Sequence, residues 1–211
     1  MFSKNHYDVF LEEENLLGID NQAELAKAKE KVSKTRAKEL VEKNVIDSFD
    51  VGTFKGLAQI HHYLFQDIYP FAGKIREVDL AKGQFRFAPV LYLEPALKEI
   101  EKLEQTNYEQ IIEKYVEMNI AHPFREGNGR ATRIWLDQIL KKEIEKIVDW
   151  NEVDKDQYLS AMIMSPVNDL PIKELLRPAL TDKIADHETY FKGIDASYYY
   201  EGYTEFKTED L

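Results

Sequence analysis

The sequence predicts an all-α fold that carries one short β-hairpin. Along most of the 211 residues, apolar side chains recur every three or four positions, which is the spacing of a helix with one buried face. Between residues 73 and 89 the pattern changes to short apolar runs interrupted by Lys82-Gly83, a pair that suits a tight turn. The 44% of hydrophobic residues is enough for one core. We therefore expect a helical bundle with one hairpin.

Helices are expected over seven segments, which in chain order are 21–43, 53–68, 94–103, 108–121, 130–146, 156–164 and 172–180. The first segment lacks Gly and Pro, is dense in strong helix formers and is so charged that it should bury only a narrow stripe. The second is ended by Tyr69-Pro70, because proline cannot continue a helix. Thr106 and Asn107 are the capping candidates for the fourth.

Composition excludes several classes of function. A net charge of −11 argues against a nucleic-acid partner and against a basic membrane anchor, since both need clustered Lys and Arg. The absence of cysteine excludes disulfides, thiolate metal sites and a cysteine nucleophile. No apolar stretch is long enough to span a bilayer, and the first residues lack the pattern of a signal peptide. We expect a cytoplasmic protein without a membrane or nucleic-acid partner.

Residues 122–133, here called the signature segment, have the composition of an anion site. The segment lies between two apolar helices, and the second helix begins near Gly129. The first turn of a helix presents unpaired N–H groups and the positive end of the helix dipole. Gly127 and Gly129 allow a ligand to approach the backbone, and Arg130 and Arg133 share one helix face. Two arginines at a helix N-terminus suit a polyphosphate.

Two further residues of the signature segment supply chemistry. Glu126 would be repelled by a bound polyphosphate unless a cation lay between them, so it predicts a Mg²⁺ site. His122 ends the preceding helix and has the ordinary pKa of a group that accepts a proton from a hydroxyl near neutrality. Phe124 is expected to anchor the segment in the core. A lone histidine at a helix end is usually a surface or capping residue, which is the alternative for His122.

The signature segment resembles that of Fic domains, H-x-F-x-[D/E]-G-N-G-R-x-x-R, at every specified position. Residues 61–73 are similar to the Fic helix that leads into the flap, with Phe71 where many members have Trp. Residues 82–87 are similar to the flap hairpin. The resemblance covers roughly residues 16–203 and implies a single Fic domain over 1–211. Its core would span about 45–180, its flap about 73–89 and a C-terminal inhibitory helix about 186–203.

The resemblance implies a Mg²⁺-dependent nucleotidyltransferase that moves AMP from ATP onto a Ser, Thr or Tyr hydroxyl of a target protein. In that scheme His122 is the general base and Glu126 holds Mg²⁺. The nucleotide would be bound by the loop and its neighbours: Lys82, Gly127, Asn128, Gly129, Arg130 and Arg133. Asn128 and the loop amides would stabilise charge on the α-phosphate. The target's backbone would dock on the flap, at Gly83, Gln84, Phe85, Arg86 and Phe87.

A second motif lies near the C-terminus, where Ser197, Glu201 and Gly202 fit the Fic inhibitory pattern [S/T]-x-x-x-E-[G/N]. Ser197 and Glu201 are four residues apart and share a helix face. A Glu201 carboxylate paired with Arg133 would occupy the guanidinium that the γ-phosphate needs. An ordinary surface charge is the alternative for Glu201. In some Fic proteins this glutamate also helps remove AMP, so a bifunctional enzyme is a further expectation.

Rival functions remain open at the level of sequence. The first is a Fic-fold protein kinase, although Gly127-Asn128-Gly129-Arg130 is intact here. The second is an ATP-sensing interaction module without turnover, against which the retention of His122 and Glu126 argues. Tyr198, Tyr199 and Tyr200 are expected mainly to pack, with self-modification of one of them as the alternative. Assembly into a homo-oligomer is also left open by the sequence.

Overall fold

The structure is a computed structural model that describes residues 14–82 and 85–211, and this part of the chain is mostly helical. In chain order the helices are α1 (Gln22–Glu42), α2 (Phe54–Phe65), α3 (Val90–Lys102), α4 (Tyr108–Ala121), α5 (Asn128–Ile144), α6 (Lys155–Met164), α7 (Leu170–Leu176) and α8 (His187–Tyr200). The strands are β1 (Ala81–Lys82), β2 (Phe85–Arg86), β3 (Ile147–Val148) and β4 (Leu180–Thr181), which form two antiparallel hairpins, β1–β2 and β3–β4. Short 3₁₀ helices span Val45–Ser48, Trp150–Glu152 and Thr208–Asp210. This architecture confirms the predicted fold class.

Helix α5 lies at the centre of the core and packs against α2, α4 and α8. Its residues Trp135, Leu136 and Ile139 are fully buried. The Trp135 indole N–H donates to the carbonyl of Thr53 at 3.0 Å, so the ring is both buried and satisfied. Replacing Trp135 by alanine would cost about 3–5 kcal/mol, as large core truncations do. Helix α5, which contains the second half of the signature segment, is therefore held in place by packing on several sides.

Helix α1 buries the narrow stripe that its charge predicted. Leu25, Ala37 and Leu40 face the core, together with the ion pair of Glu30 and Lys34 at 3.1 Å. The helix packs against α2 and α8. In the part of the chain that the structure describes, neither α1 nor any other helix is long and apolar enough to cross a membrane.

Asn107, and not Thr106, caps α4. The Asn107 side chain accepts a hydrogen bond from the Gln110 amide at 3.1 Å, while Thr106 Oγ1 donates to the Gln110 side chain. The cap fixes where α4 begins, and the helix then runs to Ala121. His122 follows as the C-terminal cap in the left-handed conformation, with φ 49°. The end of α4 thus determines the backbone of the predicted base.

Several predicted boundaries were wrong by a few residues. Helix α3 begins at Val90, not at residue 94, because the Asp79 carboxylate accepts from the Val90 amide at 2.8 Å and supplies a cap from a distant part of the chain. Helix α7 ends at Leu176, not at 180, because Leu180 pairs with Val148 in the β3–β4 hairpin. Two residues per strand are too few to leave a sequence pattern, so this hairpin was missed.

The predicted flap hairpin is present but short. Ala81 pairs with Arg86 and Lys82 pairs with Phe85, and each strand has only two residues. Residues 73–80 and 87–89 are irregular chain that leads into and out of the hairpin. Gly83 and Gln84 lie outside the described residues, so the predictions for them stay predictions.

Candidate active site

The signature segment forms a tight loop that joins α4 to the N-terminus of α5. The loop reverses the chain through residues 123–127 and ends at Gly127, which has φ 77° and serves as the N-terminal cap of α5. A Cβ atom on Gly127 would lie 2.5 Å from the ring of Phe65. Gly127 is therefore required twice, for its positive φ and for its close packing.

Asn128 closes this loop from within. Its Oδ1 accepts from the Phe124 amide at 2.8 Å, and its Nδ2 donates to the Phe124 carbonyl at 2.7 Å. Phe124 is fully buried, as expected of an anchor, and its ring stacks on His61 at 3.8 Å. The Asn128 side chain thus holds the loop in shape. Contact of this side chain with a phosphate stays a prediction.

Arg130 and Arg133, here called the arginine pair, are buried side by side at the N-terminus of α5, with 1% and 4% of their surfaces exposed. Both contact Glu201. Glu201 Oε2 lies 2.7 Å from Arg130 Nε, and Glu201 Oε1 lies 3.0 Å from Arg133 Nη2. A Cβ atom on Gly129 would lie 2.6 Å from Glu201 Oε1. The carboxylate therefore lies directly over the first turn of α5, where an anion is favoured.

Helix α8 brings Glu201 to this position. The Arg133 Nε–H donates to Ser197 Oγ at 2.7 Å, and Arg133 Nη2 donates to the Ser197 carbonyl at 2.9 Å. Glu201 is the C-terminal cap of α8, and Gly202 follows with φ 90°. The two residues predicted to share a helix face therefore both contact Arg133. Gly202 ends the helix immediately beyond them.

The charges in this cluster stabilise one another. Burial opposes ionisation of Glu201, but Arg130 and Arg133 hold the pKa of its carboxyl below the ordinary value. Burial likewise opposes the charges of both arginines. Glu201 nevertheless raises the pKa of Arg130, and Tyr158 with Glu201 raises that of Arg133. The carboxylate and both guanidinium groups are therefore ionised in the folded protein at neutral pH.

His122 is partly buried beneath Phe87 of the flap, near enough to Glu201 for that charge to affect its pKa. Its Nδ1 is 3.3 Å from the Asn119 carbonyl, which can only accept, so the proton is assigned to Nδ1 and Nε2 is left as the acceptor. The Phe87 ring stacks on the imidazole at 3.6 Å. The pKa of His122 is lowered to about 3, mainly by burial and to a lesser extent by the charge of Arg76, so the ring is neutral at physiological pH.

Glu126 is fixed by its backbone as well as its side chain. Its carboxylate lies 2.6 Å from Arg130 Nη2, on the same guanidinium that Glu201 contacts. Its carbonyl accepts a hydrogen bond from His61 Nε2 at 2.8 Å. His61 Nδ1 in turn accepts from the Gly73 amide at 2.9 Å, so the neutral tautomer is specified. His61 links the start of the flap to the signature segment.

Two described residues of the flap, Lys82 and Phe87, lie close to His122. Phe85 and Phe87 pack edge to face at 5.0 Å, and Phe87 covers the imidazole. Lys82 and Arg86 are exposed. Lys82 lies near both Glu201 and His122. Its charge lowers the pKa of each group, although it is the smallest of the causes for both. Phe87 is therefore in direct contact with the predicted base.

Sequence reasoning missed Arg76, the buried residue that binds the carbonyls around His122. Only 1% of its surface is exposed, and its guanidinium donates to the His122 carbonyl at 2.8 Å. The run Gly73-Lys74-Ile75-Arg76 looks like an ordinary alternation with a solvated arginine. Its acceptors lie far along the chain, so no local pattern could have revealed them.

Fold and site together define a helical domain in which a buried arginine pair at a helix N-terminus is bound by the carboxylates of Glu126 and Glu201. Residues 53–140 match the model of the Fic/DOC family. The chain belongs to this family, as its signature segment predicted.

Curated relatives share this assignment. The protein adenylyltransferase VbhT of Bartonella schoenbuchensis is 34% identical over 162 residues, which cover 72% of this chain and 33% of VbhT. The probable protein adenylyltransferase Fic of Salmonella typhimurium is 35% identical over 136 residues, which cover 59% of this chain and 66% of that protein. This chain thus spans about a third of the length of VbhT.

Solved structures have the same fold. The structure of BepC from Bartonella tribocorum with bound AMPPNP has a TM-score of 0.63 at 21% identity, covering 79% of this chain and 91% of that chain. The N-terminal Fic domain of a Bep effector from Bartonella sp. AR 15-3 has a TM-score of 0.68 at 16% identity, covering 87% and 96%. These similarities confirm the Fic fold.

Proposed function

We propose that this protein is an adenylyltransferase that moves AMP from Mg²⁺-ATP to a Ser, Thr or Tyr hydroxyl of a target protein. The observation that carries the proposal is the convergence of His122, Glu126 and the arginine pair on one helix N-terminus. A buried pair of cations at such a terminus suits the phosphates of a nucleotide. The names of the curated relatives support the same activity.

In the transfer step, a target hydroxyl oxygen attacks the α-phosphorus of ATP. The bond from that phosphorus to the oxygen bridging to the β-phosphate breaks, and pyrophosphate leaves. His122 Nε2 accepts the hydroxyl proton, because Nδ1 already carries a proton toward the Asn119 carbonyl. The free amides at the start of α5 lie where charge develops on the α-phosphate. The flap offers its short strands to the target backbone.

Glu126 is the residue that would hold Mg²⁺ with the phosphates. In the described ranges, 14–82 and 85–211, no group of three or more His, Cys, Asp or Glu could hold a metal. Mg²⁺ does not need such a group, because it keeps several waters and binds through one or two carboxylates plus phosphates. The partly exposed carboxylate of Glu126 beside the arginine pair fits that requirement. Bound there, Mg²⁺ would neutralise phosphate charge and align the leaving group.

Glu201 makes this an autoinhibited enzyme. Its carboxylate occupies the arginine pair that the β- and γ-phosphates need, so nucleotide and Glu201 compete for the same cations. Productive ATP binding requires the carboxylate to move away. Helix α8, with the residues flanking it from about 186 to 203, is in this proposal the inhibitory element of a single Fic domain.

Self-modification would fall on Tyr199 if the fold stays intact. Half of the Tyr199 surface is exposed, whereas Tyr198 and Tyr200 are buried. Tyr198 lies beneath Arg130, and Tyr200 donates to the carbonyls of the 150–153 turn, so both hydroxyls are withdrawn from solvent. Peptide mapping of self-labelled protein identifies the residue.

The experiment that tests the activity compares Glu201→Gly, in which the inhibitory carboxylate is absent, with the same chain carrying His122→Ala as well. Label from α-³²P-ATP should reach protein only when His122 is present, and intact mass should show one adenylyl adduct. His187→Ala, which removes an exposed histidine at the start of α8, is the matched control and should transfer normally. Label from γ-³²P-ATP would indicate a kinase, and binding without any label would indicate an ATP sensor. Either result contradicts the proposal.

A further inference from the structure

Arg76 makes a set of hydrogen bonds that meets at the predicted base. It lies in the chain between α2 and the β1–β2 hairpin and is almost fully buried. Its guanidinium donates to four backbone carbonyls, those of His122 at 2.8 Å, Val78 at 2.7 Å, Ala121 at 3.1 Å and Ala88. Its own amide donates to the Pro123 carbonyl at 2.8 Å. One residue thus contacts the carbonyls of three successive residues, 121–123.

These bonds lie where α4 ends and the backbone takes a disfavoured conformation. The last carbonyls of a helix have no partners within it, and a cation is favoured there by the helix dipole. His122 adopts the left-handed conformation, which is unfavourable for a residue with a side chain and persists only when its surroundings hold it. Arg76 fixes the carbonyls on both sides of the His122 α-carbon. It therefore sets the direction in which the imidazole points.

The same guanidinium also holds the flap. Val78 and Ala88 lie on the two chain segments that lead into and out of the β1–β2 hairpin. Phe87, the neighbour of Ala88, stacks on the imidazole of His122. The Ala88 amide donates to the Ile120 carbonyl at 3.1 Å, which adds a second link between flap and α4. The Arg76 side chain therefore positions both the base and the flap, the surface on which the target is proposed to dock.

We infer that Arg76 is a positioning residue for adenylyl transfer, holding His122 and the flap in one register. The inference rests on the proposed function, since it assigns Arg76 a part in the same reaction. Arg76 acts through His122, whose carbonyl it binds. A lysine cannot replace it, because one ammonium group lacks the planar fork that reaches carbonyls on separate segments.

The kinetic test uses Arg76→Lys in the Glu201→Gly background, with self-labelling from α-³²P-ATP as the readout. The kcat should fall roughly a hundredfold, as misplacement of a reacting group does, while the KM for ATP stays within about twofold because the arginine pair is intact. Arg177→Lys, at an exposed arginine paired with Glu109, is the matched control. A Lys variant with the native kcat would overturn the inference, as would equal losses in kcat and nucleotide affinity.

A second measurement separates this inference from the proposed function. In the nuclear Overhauser spectrum of the native chain, Phe87 and His122 ring protons should be connected, and the Arg76 Nε–H should exchange as slowly as the His122 amide. Arg76→Lys should lose the ring contact, and Arg76→Gln should raise the pH at which His122 titrates. A freely exchanging Arg76 Nε–H in native protein overturns the inference even if a variant fails to fold. If the parent never self-labels, the proposed function fails and these spectra still decide the role of Arg76.

Discussion

At the scale of single residues, Glu201 behaves as a built-in anion. It sits over the first turn of α5 and divides its two oxygens between Arg130 and Arg133. One ion pair at about 4 Å contributes roughly 4 kcal/mol at an effective dielectric of 20, and desolvation offsets part of this. In the proposed function, the remainder is what an incoming nucleotide would have to displace. The glutamate would then set the affinity for ATP as well as the rate of transfer.

Glu201→Gly should bind ATP roughly thirtyfold more tightly than the native chain and label itself faster, because about 2 kcal/mol of competition is removed. Titration calorimetry with ATP and Mg²⁺ measures the affinity. Glu205→Gln changes an exposed carboxylate four residues away and should leave the affinity unchanged. Equal affinities for the Gly variant and the native chain would refute autoinhibition by Glu201.

At the scale of elements, α8 is fastened to α1 by a buried polar network. Lys34 lies 3.1 Å from Glu30 and 2.9 Å from Asp195 of α8, and almost none of its surface is exposed. Asp195 also accepts from Thr208 Oγ1 at 2.6 Å, and Glu30 accepts from the amides of residues 205 and 206. Helix α8 and the chain beyond it are thus held in one register. That register is what delivers Glu201 to the arginine pair.

Lys34→Met should destabilise the protein by about 3–5 kcal/mol, because the buried carboxylate of Glu30 and the partly exposed carboxylate of Asp195 lose their buried cation. Amide hydrogen exchange should accelerate most in α8, and ATP should bind more tightly as Glu201 is released. Lys27→Met is the matched control, since Lys27 pairs with Glu205 at 3.2 Å with both side chains about half exposed. Its cost should stay below about 1 kcal/mol. Similar losses in both variants, or unchanged exchange in α8, would show that the network does not hold the helix.

At the scale of the whole molecule, two neutral histidines link stability to pH. Burial lowers the pKa values of His61 and His122 to about 3, whereas an unfolded histidine titrates near 6.5. Between these values the unfolded chain binds more protons, so the free energy of unfolding falls as pH falls below 6.5. Burial raises the pKa of Asp137 to about 7, so the folded chain takes up a proton there and opposes part of this loss.

Each histidine should cost about 2 kcal/mol of stability between pH 7 and pH 5. His122→Ala should therefore lose about 2 kcal/mol less than the native chain over this range, as measured by urea unfolding at each pH. His187→Ala, which removes an exposed histidine, is the matched control variant. Parallel curves for the native chain and His122→Ala would mean that the pKa of His122 is the same in the folded and unfolded states, which contradicts the lowered value.

What the sequence could predict is what depends on neighbours along the chain. The spacing of Ser197 and Glu201 and the order of groups from His122 to Arg133 are local. The structure brings Ser197 and Glu201 to Arg133, and Glu126 to Arg130. The burial of Arg76, the Asp79 cap of α3 and the pairing of Lys34 with Asp195 depend on partners up to 161 residues apart. No local pattern encodes such partners, because each side chain alone looks like an ordinary surface charge.

Gly129 has a consequence for how this enzyme could evolve. The space where its side chain would stand is the space that Glu201 Oε1 fills, and it is also the space beside which a phosphate would bind. In the proposed function, the inhibitory carboxylate and a phosphate would therefore compete for this one space. A side chain in place of Gly129 would exclude both the Glu201 carboxylate and the phosphate of the nucleotide. Under that proposal, mutations could strengthen or weaken the inhibition only at positions outside this space, such as those in α8, which carries Glu201.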